Sequence, residues 1–229
     1  MPNFAEQVVA FNRALEFPGK LPKGFRVMNP FRENPEVLGL SEAFYRKFYN
    51  DSGPRKLILG INPGRLGAGA TGIPFTDSRR LAVDCGIPSG SIRTHEPSSV
   101  FVYDMIRSFG GVYDFYGAFY ITSVCPLGFL RQNPTGRWVN CNYYDDVALF
   151  TAAKPFILWN LKTQAEFGIA RETVFVMGKQ NAGIVGQINR DVRLFRNVAA
   201  LDHPRYIEQY RSKKKEAYIK DYVEKLRAG

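Results

Sequence analysis

One short stretch of this chain concentrates the residue types that chemistry at a buried site needs. It runs Gly60-Ile61-Asn62-Pro63-Gly64-Arg65-Leu66-Gly67-Ala68-Gly69-Ala70-Thr71-Gly72-Ile73-Pro74-Phe75-Thr76-Asp77. Five glycines fall within its first thirteen residues, enough for the backbone to approach a ligand closely and turn successive N–H groups toward it. Pro63 and Pro74 stiffen the two ends. Asn62 adds an amide donor and a carbonyl acceptor on one planar group. Further along, His203 is one of only two histidines and stands in Leu201-Asp202-His203-Pro204-Arg205.

Two phosphate-binding motifs come close to this stretch. Gly67-Ala68-Gly69-Ala70-Thr71-Gly72 fits GxGxxG in form, but a dinucleotide fingerprint leaves its strand at once and opens a helix. Here five residues separate it from Ile61, and Pro74-Phe75 follows. A Walker loop needs Lys-Ser or Lys-Thr after the glycines, and the sequence has neither.

The elements that must position these residues alternate. Lys56 to Ile61 is a continuous apolar run of the kind that makes a strand covered on both faces. Residues 119–124, 173–178 and 197–202 read as three further strands. Phe4, Val8, Phe11 and Leu15 recur at helical spacing, giving a helix over 3–16. Helices are expected over 40–48, 98–109, 181–189 and 207–226, and over 143–167 with an interruption at Pro155. Strands alternating with helices predict an α/β fold, a three-layer α/β/α sandwich with a short, mainly parallel four-stranded sheet. In such sheets ligands bind beyond the carboxyl ends of the strands, hence after Ile61, Val124, Gly178 and Asp202.

Composition narrows the partners. The 229 residues suit one domain spanning 1–229. A net charge of +10 favours a polyanion such as nucleic acid. No apolar run reaches the roughly 18 residues that span a membrane. The opening Met1 to Gln7 has neither a basic start nor a long apolar stretch, so no secretion signal is read and a cytoplasmic, nucleoid-associated protein is expected. Cys85, Cys125 and Cys141 match no zinc spacing and read as reduced, packed thiols.

The stretch from Gly60 to Asp77 resembles the first motif of the single-strand-selective monofunctional uracil-DNA glycosylases, G-M-N-P-G-P-F-G-M-A-Q-T-G-V-P-F-G-E. Gly60, Asn62, Pro63, Gly64, Gly67, Thr71, Gly72, Pro74 and Phe75 match it without a gap. Cys125-Pro126-Leu127 resembles the family's H-N-x-C-P-L, and Leu201 to Arg205 its H-P-S-P-R, with a bacterial sister subfamily the nearest likeness. The motif-bearing core is residues 55–210. The resemblance implies a DNA-repair hydrolase of the uracil-DNA glycosylase superfamily, acting as a monomer on DNA without metal, cofactor or membrane.

Residue by residue, the resemblance makes Asn62 the group that positions water and His203 the donor to the base carbonyl. It makes Phe75 the ring that stacks on the flipped base. Ile61 and the backbone at Gly64 and Leu66 border the base. Arg65, Arg205 and Tyr206 face DNA. Ser123 stands where the family carries the Asn that reads uracil. A hydroxyl cannot make that two-point contact, so a broader or altered base range, including xanthine, is expected. A non-catalytic DNA-binding relative and a dinucleotide-dependent oxidoreductase are the alternatives.

Overall fold

The apolar run expected as a buried strand lies inside the sheet, with Leu57, Ile58 and Leu59 almost fully buried. The computed structural model describes residues 2–229. Its strands, in chain order, are β1 (Phe25–Met28), β2 (Arg55–Gly60), β3 (Phe119–Ser123), β4 (Gly128–Gln132), β5 (Trp138–Cys141), β6 (Ile169–Met177) and β7 (Asn197–Leu201). Four of them form an all-parallel sheet in the order β3-β2-β6-β7. The chain moves from β2 outward to β3, then returns past β2 to β6 and β7. With right-handed connections this reversal puts helices on both faces of the sheet. It also leaves a crevice between the ends of β2 and β6, where ligands bind in such sheets.

Register brings the site residues together. Gly60 pairs opposite Ser123, Leu59 opposite Val176, and Met177 opposite Leu201. The segments that leave these strands, starting at Ile61, Val124, Gly178 and Asp202, therefore emerge along one edge.

The remaining strands make a second, antiparallel sheet in the order β1-β4-β5 that the sequence reading did not anticipate. These strands are only four or five residues long, too short for their alternation to stand out. The β4–β5 turn did carry a turn signal, Asn133-Pro134-Thr135-Gly136. The Asn133 carboxamide accepts the N–H groups of Thr135 and Arg137, and Gly136 takes φ 79°.

Two helix expectations change. The helix Val147–Ala165 runs through Pro155 unbroken. Its buried face, including Ala153, Phe156, Ile157 and Leu161, outweighs the one hydrogen bond a proline removes. The closing helix is instead two, Pro204–Tyr210 and Lys215–Ala228, joined by a 3-10 turn. Lys215 anchors the junction by pairing with both Asp104 and Glu208.

The first fifty residues hold the start of β2 in place. Arg55 is buried, and its guanidinium donates to the carbonyls of Tyr116 (2.9 Å) and Gly53 (3.0 Å) and to both Asp51 oxygens. It also lies 4.8 Å from the ring centres of Phe4 and Tyr49. Arg55→Ala would leave buried carbonyls unpaired and open a cavity. It should lower unfolding free energy by about 3 kcal/mol in chemical denaturation. A loss below about 1 kcal/mol would mean that β2 does not rely on this anchor.

Candidate active site

A cavity of about 420 Å³ opens at the carboxyl edge of the parallel sheet. The loop after β2, the end of β3, the chain after β5, and the segments after β6 and β7 all contribute to its wall. Asn62 lines it with a fixed orientation. The Tyr143 N–H donates to Oδ1 at 3.0 Å, and Nδ2 donates to the Cys141 carbonyl at 3.2 Å. These two bonds assign oxygen and nitrogen of the carboxamide. One lone pair on Oδ1 has no bonded partner, and Nδ2 has only a long 3.5 Å contact to the Pro63 carbonyl besides its Cys141 bond. The group can therefore hold a water without turning.

A buried asparagine extends this clamp. Asn181 donates to the carbonyls of Gly60 and Met177, both at 3.2 Å, and so ties the ends of β2 and β6 together. Its Oδ1 accepts the Tyr143 hydroxyl at 2.7 Å. Tyr143 thus braces Asn62 through its backbone and the strand ends through its ring. On the other side, Asn160 donates to the carbonyls of Ser123 and Val124, Gln164 to Asn160, and the Tyr120 hydroxyl to Gln164. That chain fixes the end of β3, where buried Ser123 borders the cavity.

His203 caps the helix Pro204–Tyr210, its Nδ1 accepting the Arg205 N–H at 3.1 Å. The proton of the neutral ring therefore sits on Nε2. Burial, with the Arg205 charge nearby, lowers its pKa from 6.5 to about 4. The imidazole is a neutral N–H donor at physiological pH.

Phe75 is buried and stands at φ 54°, a left-handed conformation that costs a side-chain-bearing residue about 1–2 kcal/mol. Its ring lies over Gly60, where a Cβ would come within 3.0 Å of it. Buried Thr71 holds the turn through a 2.6 Å bond to the Thr76 carbonyl. The other loop glycines serve packing rather than phosphate binding. A side chain at Gly69 would strike Met28, and one at Gly72 would strike Phe31 and Val37. The helix that follows is only Ala68–Thr71. The GxGxxG form is thus a tight turn wedged against the N-terminal segments.

Ile61, Asn62, Gly64, Phe75, Ser123 and His203 all border the cavity, and Arg205 and Tyr206 stand at its wall as well. Leu66 does not: its side chain is 57% exposed, and its carbonyl instead accepts the Thr94 hydroxyl. Arg65 is exposed beside the cavity, its N–H on the Asn140 carboxamide. Asn140, Cys141 and Tyr144 were not expected at the cavity, because the first two lie in the missed hairpin and Tyr144 in a stretch read as the start of a helix. Glu96 escaped as well. It borders the cavity at the N-cap of the helix Pro97–Phe109, and its carboxyl fills the space beside Gly67. Burial and the neighbouring Asp77 push its pKa up to about 8.

The model of the uracil DNA glycosylase superfamily matches residues 46–227. The chain belongs to this superfamily. Its structure is similar to the crystal structure of wild-type SMUG2 from Pedobacter heparinus, with a TM-score of 0.97 and 46% identity. The alignment covers 100% of this chain and 98% of that one. A search among curated proteins finds no match. The α/β architecture and the resemblance read from Gly60 to Asp77 both agree with this membership. The function is accordingly of the uracil-DNA glycosylase type, with DNA as the partner.

The His203 geometry has a measurable consequence. Its folded pKa of about 4 lies below the ordinary 6.5, so the unfolded chain takes up this proton first as pH falls. The contribution of His203 to stability is complete above about pH 6.5 and is lost progressively toward pH 4. Nitrogen NMR of the imidazole should show an Nε2–H tautomer unchanged from pH 7 to about pH 5. A titration centred near 6.5 would show the ring to be solvated instead.

Proposed function

We propose that this glycosylase hydrolyses the N-glycosidic bond of a deaminated base, uracil and also xanthine, flipped out of DNA into the 420 Å³ cavity. The observation that carries this reading is the convergence of a clamped amide, a neutral imidazole donor and a strained aromatic on one cavity. Flipping costs a few kcal/mol of unstacking, which stacking on Phe75, worth roughly 1–3 kcal/mol, offsets in part. Bond cleavage builds positive charge on the sugar and negative charge on the departing base. Asn62 orients the water that attacks the sugar, while the His203 Nε2–H donates to the base carbonyl as its charge grows.

Ser123 supports the wider base range. Its single oxygen cannot pair at two points with a uracil ring, so discrimination against other deaminated bases weakens. Arg65, Arg205 and Tyr206 lie where DNA would enter and contact its backbone. Lyase chemistry would need a desolvated amine. Lys179, the lysine at the cavity wall, is 81% exposed and stands 3.5 Å from Asp202, which favours a monofunctional enzyme.

The test is base release from oligonucleotides carrying uracil, hypoxanthine or xanthine. Wild type should leave abasic sites at uracil and xanthine. Asn62→Ala should slow release at least about 100-fold, and His203→Ala by about 100- to 1000-fold. Ser123→Asn should shift preference toward uracil by about tenfold or more. No release from any substrate by wild type would sink the proposal and leave a DNA-binding protein without turnover.

A further inference from the structure

The antiparallel sheet carries a charge that the cavity chemistry does not use. Residues 17–31 and 128–144, which hold β1, β4, β5 and their turns, contain Lys20, Lys23, Arg26, Arg131 and Arg137 but no Asp or Glu. This one small sheet therefore accounts for half of the chain's net charge of +10. All five side chains are exposed, and none forms an ion pair among the described residues.

One of these cations, Arg26, stands on a face that begins at the cavity. Arg26 pairs opposite Leu130, Leu130 opposite Asn140, and Gln132 opposite Trp138. Residues opposite one another share a face, as do residues two apart, so Arg26, Gln132, Trp138 and Asn140 lie on the same side. Asn140 borders the cavity and accepts the Arg65 N–H. Trp138 follows about 7 Å further along the strand. The Arg26 guanidinium lies over the Trp138 ring at 4.8 Å. Arg137, opposite Asn133 and one residue before Trp138, falls on the other face of the hairpin together with Arg131.

We propose that this face of the sheet is a second DNA-contact surface, a track carrying the strand that flanks the flipped nucleotide, with Arg26 and Trp138 as its contacts. Unpaired guanidiniums bind phosphates, and a cation-capped aromatic offers a stacking face to any base, so the track binds without sequence preference. The choice of DNA as the polyanion rests on the glycosylase reading. The charge and its continuity with the cavity do not.

The test is binding of undamaged single-stranded DNA, followed by fluorescence anisotropy across a salt series. An Arg26→Ala, Trp138→Ala double variant should bind an oligonucleotide of about sixteen nucleotides roughly tenfold more weakly than wild type. Its log–log salt slope should be shallower by about 0.7. On an oligonucleotide of about four nucleotides, too short to leave the cavity, the two proteins should bind alike. Arg190→Ala, with Arg190 exposed at the far end of a helix that leads away from the cavity, should behave as wild type on both. Equal losses for Arg190→Ala and the double variant on the long oligonucleotide would overturn the track. So would an equal loss on both lengths, or a charge-dependent binding to anionic phospholipid vesicles that DNA does not reproduce. Because the DNA carries no target base, these outcomes are independent of base release and separate the track from the activity.

Discussion

The carboxamide of Asn62 is held at both ends by backbone groups of the chain leaving β5, the Tyr143 N–H and the Cys141 carbonyl. Much of the structure around the cavity serves that grip. A free asparagine would sample several rotamers, and the entropy of fixing it would fall on the reaction step. Here folding has already fixed it. For the grip to exist, β5 must return over the loop after β2. That in turn requires the β4–β5 hairpin, with β1 alongside to complete a sheet. The small antiparallel sheet is thus the support for the amide that we propose orients the water, carried on the loop that leaves the large parallel one.

The same economy appears elsewhere in the site. Tyr143 braces Asn62 with its backbone, and its hydroxyl reaches Asn181, which binds the ends of β2 and β6. His203 has its tautomer set by the cap it makes for its own helix. Phe75 is kept in a left-handed conformation by the Thr71 bond beside it and by the bare backbone of Gly60 beneath it. Each group that would touch the base or the water is immobilised by neighbours that do not touch either. Such fixed dipoles need no reorganisation when charge develops.

The parallel sheet and much of the cavity wall were legible in the sequence. Buried parallel strands are continuous apolar runs, and residues 56–61, 119–124, 173–178 and 197–202 stand out as such. The carboxyl-end rule points to the segments after Ile61 and Asp202, which hold Asn62 and His203, while Ser123 stands out only through the family resemblance. What could not be read was nonlocal. Nothing near Asn62 says that residues 141 and 143 will close on it, because those bonds span about eighty positions. Leu66 looked like a cavity residue from its place in the motif, but the turn before Gly67 directs it to solvent. Glu96 gave no signal at all: a lone Glu before a proline reads as a surface residue, and only the folded chain seats its carboxyl beside Gly67.

A crystal structure with an oligonucleotide carrying a 2′-fluorinated, uncleavable deoxyuridine would test the preorganised site most directly. The account predicts the base inside the cavity, stacked on Phe75, with one carbonyl in hydrogen-bond range of His203 Nε2. A water should rest on Asn62 while its bonds to Tyr143 and Cys141 stay intact. A base bound elsewhere, or an Asn62 carboxamide turned out of its grip to meet the substrate, would contradict it.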